Sequence, residues 1–475
     1  MTPNFHVPNT VTKQLAMNIV GDRKKVRVSS NFLPLMGFEP GKRLITVPSL
    51  DGGFTVRTSD QGDLQVYSRR YNTRARANNP MEAIVEFASQ SLLSKTFPPG
   101  TERFHVRMKQ GDLKITPVPN RVFNIQKRYQ GHDPLRAMVA LTGGVDIRCM
   151  ADVGIHTDVV LEYRPDEARD VAAGRSLNEV HALNTLRNGG PRLLLNEDIY
   201  TVDPARLRKL IDEGDPVTTY HISLQCDDAS SAKSASAKAK SIDNLTTTLD
   251  QIYPMLRQVE ALECPLVIVE NVRQFKDSHA GIIMRSMLRR WGYHVSDMTL
   301  NARDFGGVQN RTRYYMVASI FPGFEAPQPQ DRSGDSIWPL VEKHLHECRD
   351  VTDSYAVKSR GTSNRCSTYI TRESTYCPAV MKSQARILKD GLAIQDAGRV
   401  YTPSEGLIKS LMSIPQDFDT SWMAAEQSIE TLGQSIDYKL HHRLMESVKQ
   451  HLLDNMGQRT ILRARAGGRN GELFN

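Results

Sequence analysis

The chain has 475 residues, enough for two or three domains, and 39% hydrophobic residues to fill their cores. No apolar run approaches the roughly 20 residues needed to cross a bilayer, which excludes a helical membrane span. The net charge of +8 is unevenly divided: residues 1–130 carry +11 and the remainder −3, which marks the N-terminal quarter as a polyanion-binding module or a solubilising surface.

The first residues, "MTPNFHVPNTVTKQ", lack the charged and apolar regions of a signal peptide, so a cytoplasmic location is expected. Cys149, Cys226, Cys264, Cys348, Cys366 and Cys377 are scattered and form no CxxC pair. Neither a disulfide framework nor a bound metal is expected.

From Lys24 to Pro119 the pattern is mostly strand. The runs "KKVRVSSNFL", "KRLITVPSL", "GGFTVRTS", "DLQVYSRRY" and "RFHVRMKQGDLKITPV" alternate with period two between Gly and Asp turns. One helix is expected at 80–95, "PMEAIVEFASQSLLSK". The stretch "VRVSSNFLPLMGFEPGKRLITV" resembles the small swapped-hairpin barrels of bacterial transition-state-regulator proteins. That resemblance implies a DNA-binding or dimerising barrel over residues 1–128, and with it a homodimer; a packing barrel is the alternative.

After Pro134 short apolar strands alternate with helical patterns: "AMVAL", "HTDVVLEY", "PRLLL", "TYHISL", "PLVIVEN", "YHVSDMTL" and "RYYMVASI". Alternation of this kind predicts an α/β fold with a parallel, doubly wound, Rossmann-like sheet over residues 129–321, whose ligands bind at the C-terminal strand ends. Residues 322–398 break the rhythm and read as a small inserted domain. Helices at 402–413 and 436–456 follow, so residues 399–456 complete the α/β domain, and a basic tail occupies 457–475.

The strand-end rule selects residues. Glu162 ends one strand, Asp198 follows another, Cys226 ends "HISLQC", and Glu270 and Asn271 end "PLVIVEN". Three acids and a thiol thus reach one sheet edge. Glu162 is a candidate ribose acceptor and Asp198 an adenine contact, while Gly143 and Gly144 permit close backbone approach to a ligand. Arg311 and Arg313 alternate on one strand and therefore share a face, which is costly without an anion or polar partner.

In this order, "TGG" at 142–144, "LEY" at 161–163, "EDI" at 197–199, "LQC" at 224–226, "ENV" at 270–272 and "QNRTR" at 309–313 resemble the DNA cytosine-5 methyltransferase family. The resemblance covers roughly 135–455 and includes "RVYTPSEGLIKSLMSIPQDF" and "LGQSIDYKLHHRLMESV". It implies an S-adenosylmethionine-dependent enzyme acting on double-stranded DNA, of bacterial, phage or mobile-element origin, with a restriction-modification context. Cys226 would be the nucleophile adding to cytosine C6, Glu270 the acid at N3, and Arg313 the residue on O2, supported by Arg311. Thr142, Gly143, Gly144, Glu162, Tyr163, Asp198, Ile199, Gln434 and Ser435 would hold the cofactor. Gln225, Asn271, Val272 and Gln309 would shape the pocket for a flipped base. The Ser/Ala/Lys run 229–241 stands where the family has a mobile loop, so Lys233, Lys238 and Lys240 would grip phosphates. Residues 322–398, with "KSRGTSNRCSTYITREST", would read the DNA sequence.

Gln225 and Asp227 replace the family's usual neighbours of the cysteine, Gln434 its usual asparagine, and "LTGGV" its usual glycine turn. A carboxylate at Asp227 is expected to raise the thiol pKa. An inactive DNA-binding relative, and a relative acting on RNA or with a modified donor, are the alternatives.

Overall fold

The computed structural model describes residues 6–21, 23–49, 52–70, 81–166, 168–230, 233–359, 369–386 and 391–457. They form two compact units, 1–124 and 125–475.

The first unit is built from two antiparallel sheets. Six strands run in the order Val11–Ala16, Arg103–Lys109, Asp112–Val118, Phe54–Thr58, Arg43–Pro48, Leu64–Gln65, and four in the order Asn18–Val20, Arg23–Ser29, Met81–Phe87, Tyr67–Arg70. Alternate residues of both sheets enter one core, with Val26, Val28, Val85 and Phe87 meeting Phe54, Val56, Val106 and Ile115. Phe54 and Phe87 contact edge to face with ring centroids 4.9 Å apart.

The helix expected at 80–95 is a strand followed by a shorter helix, Gln90–Thr96, capped by Ser89. "MEAIVEF" contains good helix formers, but Ala83, Val85 and Phe87 alternate inward and the segment pairs with Arg23–Ser29. Long-range pairing overrides local propensity here.

The second unit contains a seven-stranded sheet. Its strands are β1 (Arg136–Ala140), β2 (His156–Leu161), β3 (Leu193–Leu195), β4 (Thr219–Ser223), β5 (Leu266–Val272), β6 (His294–Asn301) and β7 (Thr312–Ser319), in the order β3-β2-β1-β4-β5-β7-β6. The central strands are buried along most of their length, as continuous apolar runs covered on both faces should be. The sheet is not wholly parallel: β7 runs antiparallel between β5 and β6. The strand order reverses at β1, leaving a crevice beyond the C-terminal ends of β1 and β4.

Four helices position the site: α1 (Val145–Asp152), α2 (Ala235–Asp243), α3 (Ala425–Gln434) and α4 (Tyr438–Leu452). Of these, α1 and α3 escape the sequence pattern, and α2 lies in the run expected to be a mobile loop. Ser234 caps α2, and its Ala and Lys residues are strong helix formers.

The segment after β7 packs its own apolar residues, including Trp338, Val341, Ile370 and Val380, against Leu407, Leu411, Leu432 and Ile436 from the C-terminal elements. Gln309–Asn310 pairs in parallel with Cys377–Pro378. Residues 360–368 of the expected recognition stretch, Cys366 among them, and 458–475 of the expected tail lie outside the described residues.

Candidate active site

A cleft of about 1360 Å³ opens at the C-terminal edge of the sheet. It receives Cys226, Glu270 and Arg313 on one side and Gly143, Glu162 and Asp198 on the other.

β1 ends in a tight turn. Leu141 has a φ of 59°, and Gly143 and Gly144 have φ of 75° and 102°, a region favourable only to glycine. Gly144 then caps α1. A side chain at Gly144 would come within 3.3 Å of the Thr185 backbone. The Thr142 and Gly143 N–H groups donate to Glu162 Oε1 at 2.5 and 2.8 Å. Glu162 is fully buried, and its other oxygen, Oε2, has no partner among the described residues. Burial pushes the Glu162 carboxyl up from 4.5 to about 7, against the pull of those N–H donors. Tyr163, Asp198, Ile199, Gln434 and Ser435 line the same cleft.

β4 delivers the thiol. Past Ser223 the chain turns, with the Cys226 carbonyl accepting from Ala229 N–H at 3.1 Å and Ser230 N–H at 2.7 Å. Asp228 fixes that turn by accepting from Thr248 N–H at 2.8 Å, Ser241 Oγ at 2.8 Å and Lys233 Nζ at 2.5 Å. These donors hold its carboxyl down at about 2 despite burial. Asp227 faces solvent. The Cys226 thiol is raised mainly by burial; Arg313 opposes this, and Asp227 and Glu270 add smaller upward effects. The expected penalty from Asp227 is present but secondary.

On β5, Glu270 pairs with Arg313 of β7, Oε1 to Nε 3.3 Å, where the antiparallel register sets Val272 opposite Arg313. Burial raises the Glu270 carboxyl, while Arg313 and then Arg311 draw it down. Asn271 donates through Nδ2 to the Leu224 carbonyl at 2.9 Å and accepts from Val272 N–H at 2.9 Å, which ties β5 to the strand end bearing Cys226. Gln225 N–H donates to Gln251 Oε1 at 2.9 Å.

Three expected contacts are engaged elsewhere. Arg311, 2% exposed, donates to the carbonyls of Val380 at 2.7 Å, Ser435 at 2.5 Å and Gly433 at 3.4 Å. It therefore braces the wall of the cleft, although it shares the cleft lining with Arg313. Gln309 is fully buried and is not among the lining residues; it donates to Asp437 Oδ2 at 2.8 Å and accepts from Val380 N–H at 3.4 Å. Lys233 is bonded to Asp228 and Ser241 because a buried carboxylate next to the turn needs a cation. Of the other two lysines, Lys238 reaches the Ala229 carbonyl at 3.5 Å and Lys240 is exposed on α2.

Further lining residues carry no signal in the sequence. Arg164 pairs with Asp170 at 3.0 Å and with Glu430 of α3 at 3.6 Å, and Lys382 reaches the same Glu430 at 3.6 Å. His181, half-buried beside Arg164 and Lys382, is pushed down to about 4, mainly by desolvation. These residues come from segments far apart in the chain, so no spacing announces them. Asp146 also lines the cleft, two residues past Gly144.

This constellation agrees with comparisons to known proteins. Residues 226–450 match the family model described as C-5 cytosine-specific DNA methylase. The match covers most of the second unit and begins at Cys226, so the glycine turn and Glu162 lie outside it. The chain is 27% identical over 203 residues to the type II methyltransferase M.NlaX of Neisseria lactamica, covering 39% of this chain and 63% of that one. It is 25% identical over 218 residues to the type II methyltransferase M.MspI of Moraxella sp., covering 41% and 48%. The chain thus spans about half to five-eighths of these relatives' lengths. The Entamoeba histolytica methyltransferase EhMeth shares the fold, with a TM-score of 0.52 at 15% identity over 68% of this chain and 99% of that one. No helix among the described residues is long and apolar enough to cross a membrane.

The raised Glu162 carboxyl makes stability fall with pH. The folded form retains a proton that the unfolded chain releases near 4.5, so this contribution is present below 4.5 and is lost as pH rises through about 7. Glu162→Gln should flatten the pH dependence of urea unfolding between these values by up to about 3 kcal/mol relative to the parent. Parallel curves for the two proteins would contradict the assignment.

Proposed function

We propose that the protein methylates C5 of cytosine in double-stranded DNA, using S-adenosylmethionine, a covalent bond between Cys226 and C6, and a target base flipped into the cleft. The observation that carries this reading is the placement of Cys226 just past the end of β4, in one cleft with the largely buried Glu270–Arg313 pair of β5 and β7 and with the Glu162-braced glycine turn. Cytosine C5 is too weak a nucleophile to take a methyl group unaided. Addition of the Cys226 thiolate to C6, with the raised Glu270 carboxyl donating a proton to N3, makes C5 nucleophilic. Arg313 holds Glu270 in place, favours the thiolate and faces the base O2. After methylation a base takes the C5 proton, the Cys226–C6 bond breaks and the thiolate leaves.

The cofactor fits the other side of the cleft. The unpartnered Glu162 Oε2 would accept from ribose hydroxyls, Asp198 from the adenine amine, and the glycine turn would admit close approach. When bound, S-adenosylmethionine supplies an electrophilic methyl group. Tyr163, Ile199, Gln434 and Ser435 would complete its walls.

The first unit would add phosphate contacts. Arg43, Arg57, Arg103, Arg107, Lys109 and Lys114 occupy the outward positions of the six-stranded sheet, with Asp112 the single acid among its described strand positions. Arg103, Arg107 and Lys109 are exposed along one strand of this sheet, a row of positive charge on its outward face. On the four-stranded sheet Lys25 and Arg27 are neutralised by Glu86 at 3.0 and 2.7 Å. The row Arg103, Arg107 and Lys109 therefore suits a duplex backbone.

The parent should transfer labelled methyl groups to cytosine-containing duplex DNA, Cys226→Ala should transfer none while retaining DNA binding, and Glu270→Gln should fall by at least about 100-fold. Transfer by Cys226→Ala at the parent rate would remove the covalent route. For the first unit, Arg103→Ala with Arg107→Ala should weaken duplex binding at every sequence and lower the salt slope by about 0.9 for each phosphate no longer neutralised. Lys25→Ala with Arg27→Ala should leave that slope unchanged, and equal slopes for all three proteins would remove this unit from the DNA interface.

A further inference from the structure

Beneath the cleft, α1, β4 and α4 bring together Asp146, His221 and His441. All three are buried, at 1%, 0% and 0% exposure. The two imidazole rings lie 5.1 Å apart at 36°. Asp146 Oδ1 stands 3.4 Å from His441 Nε2 and 3.7 Å from His221 Nε2, and one donor atom from each residue falls within 4.8 Å of the others.

None of these contacts is a hydrogen bond. Asp146 Oδ1, both ring nitrogens of His221 and both of His441 have no partner among the described residues. Tyr315, whose ring centroid lies 5.9 Å from that of His441, also has a buried hydroxyl without a partner. A core that keeps so many polar atoms unpaired is costly unless something satisfies them together. Two imidazoles and a carboxylate oxygen that face one another without a hydrogen bond are a donor set for a metal ion.

The spacing suits a shared ion better than direct contact. Ligands about 2.0–2.1 Å from one tetrahedral ion lie roughly 3.3–3.4 Å from each other, close to the two Asp–His separations. Two imidazoles and one carboxylate favour a borderline first-row metal over magnesium or calcium. We propose that Asp146, His221 and His441 bind one divalent transition-metal ion of the zinc type, which fastens α4 to β4 and to the first turn of α1 beneath the cleft.

The ligands are separated by 75 and 220 positions, so no spacing motif announces them. Asp146 sits next to the glycine turn and lines the cleft. The ion would thereby steady the turn proposed to face the cofactor, while its own presence does not depend on that function.

The test uses untagged full-length protein purified without chelator. Elemental analysis should find one zinc-type ion per chain. Dialysis through dipicolinate should remove it and lower Tm, and Zn2+ should restore both. Replacement by Co2+ should give visible d–d bands of a mixed nitrogen and oxygen site, and these bands decide the question even if His221→Ala or His441→Ala fails to fold. Less than a tenth of an ion per chain, before and after dialysis against Zn2+, Co2+, Fe2+ and Mn2+, would overturn the site. So would folded His221→Ala and His441→Ala proteins that retain the ion with unchanged cobalt spectra.

Discussion

The cleft depends on one buried guanidinium. Arg311 precedes β7 and donates to the carbonyls of Val380, Gly433 and Ser435, three points on two segments that come later in the chain. Burial lowers its affinity for a proton to about 9, yet it remains charged near neutrality and cannot be left without acceptors. Gln309 adds a second tie by donating to Asp437, the residue that caps α4. Gly433 completes the junction, since a side chain there would approach the Met381 carbonyl to 2.4 Å. These contacts draw the C-terminal helices back onto the sheet and close the wall opposite Cys226.

The remaining charges follow from the same enclosure. Glu162, Asp146 and Asp437 are buried carboxyls and Glu270 a mostly buried one, all pushed upward by desolvation. Three are held by different devices: backbone N–H groups for Glu162, Arg313 for Glu270, and Gln309 with a helix N-terminus for Asp437. Asp146 alone of the four has an oxygen set against two unpaired histidines. In the proposed reaction Glu270 is the raised carboxyl that protonates the bound base, and folding all four stably needs the braces around them.

What can be read in advance follows from the range of the forces involved. The strands of the second unit are visible as apolar runs because burial on both faces leaves little freedom of residue type, and the strand-end rule then locates Glu162, Cys226 and Glu270. The antiparallel direction of β7 is invisible locally, since it depends on which neighbours the strand meets. "MEAIVEF" has helical composition and becomes a strand through its partner at 23–29, whereas the Ala/Lys run becomes helix α2 through its cap at Ser234. Period two places Arg311 and Arg313 together, but only the folded chain shows that one meets Glu270 and the other braces the C-terminal segments. Lys233 looks available for phosphate until Asp228 is found buried beside it.

In the proposed reaction this enclosure serves one bond, that between Cys226 and a cytosine carbon held in the cleft. Trapping on duplex DNA containing 5-fluorocytosine in the presence of S-adenosylmethionine, followed by mass spectrometry of the digested adduct, detects that bond itself. A stable adduct on the peptide carrying Cys226, absent from Cys226→Ser, is the expected outcome. No adduct on any cytosine context while the protein methylates DNA, or an adduct on another residue, would refute the covalent mechanism.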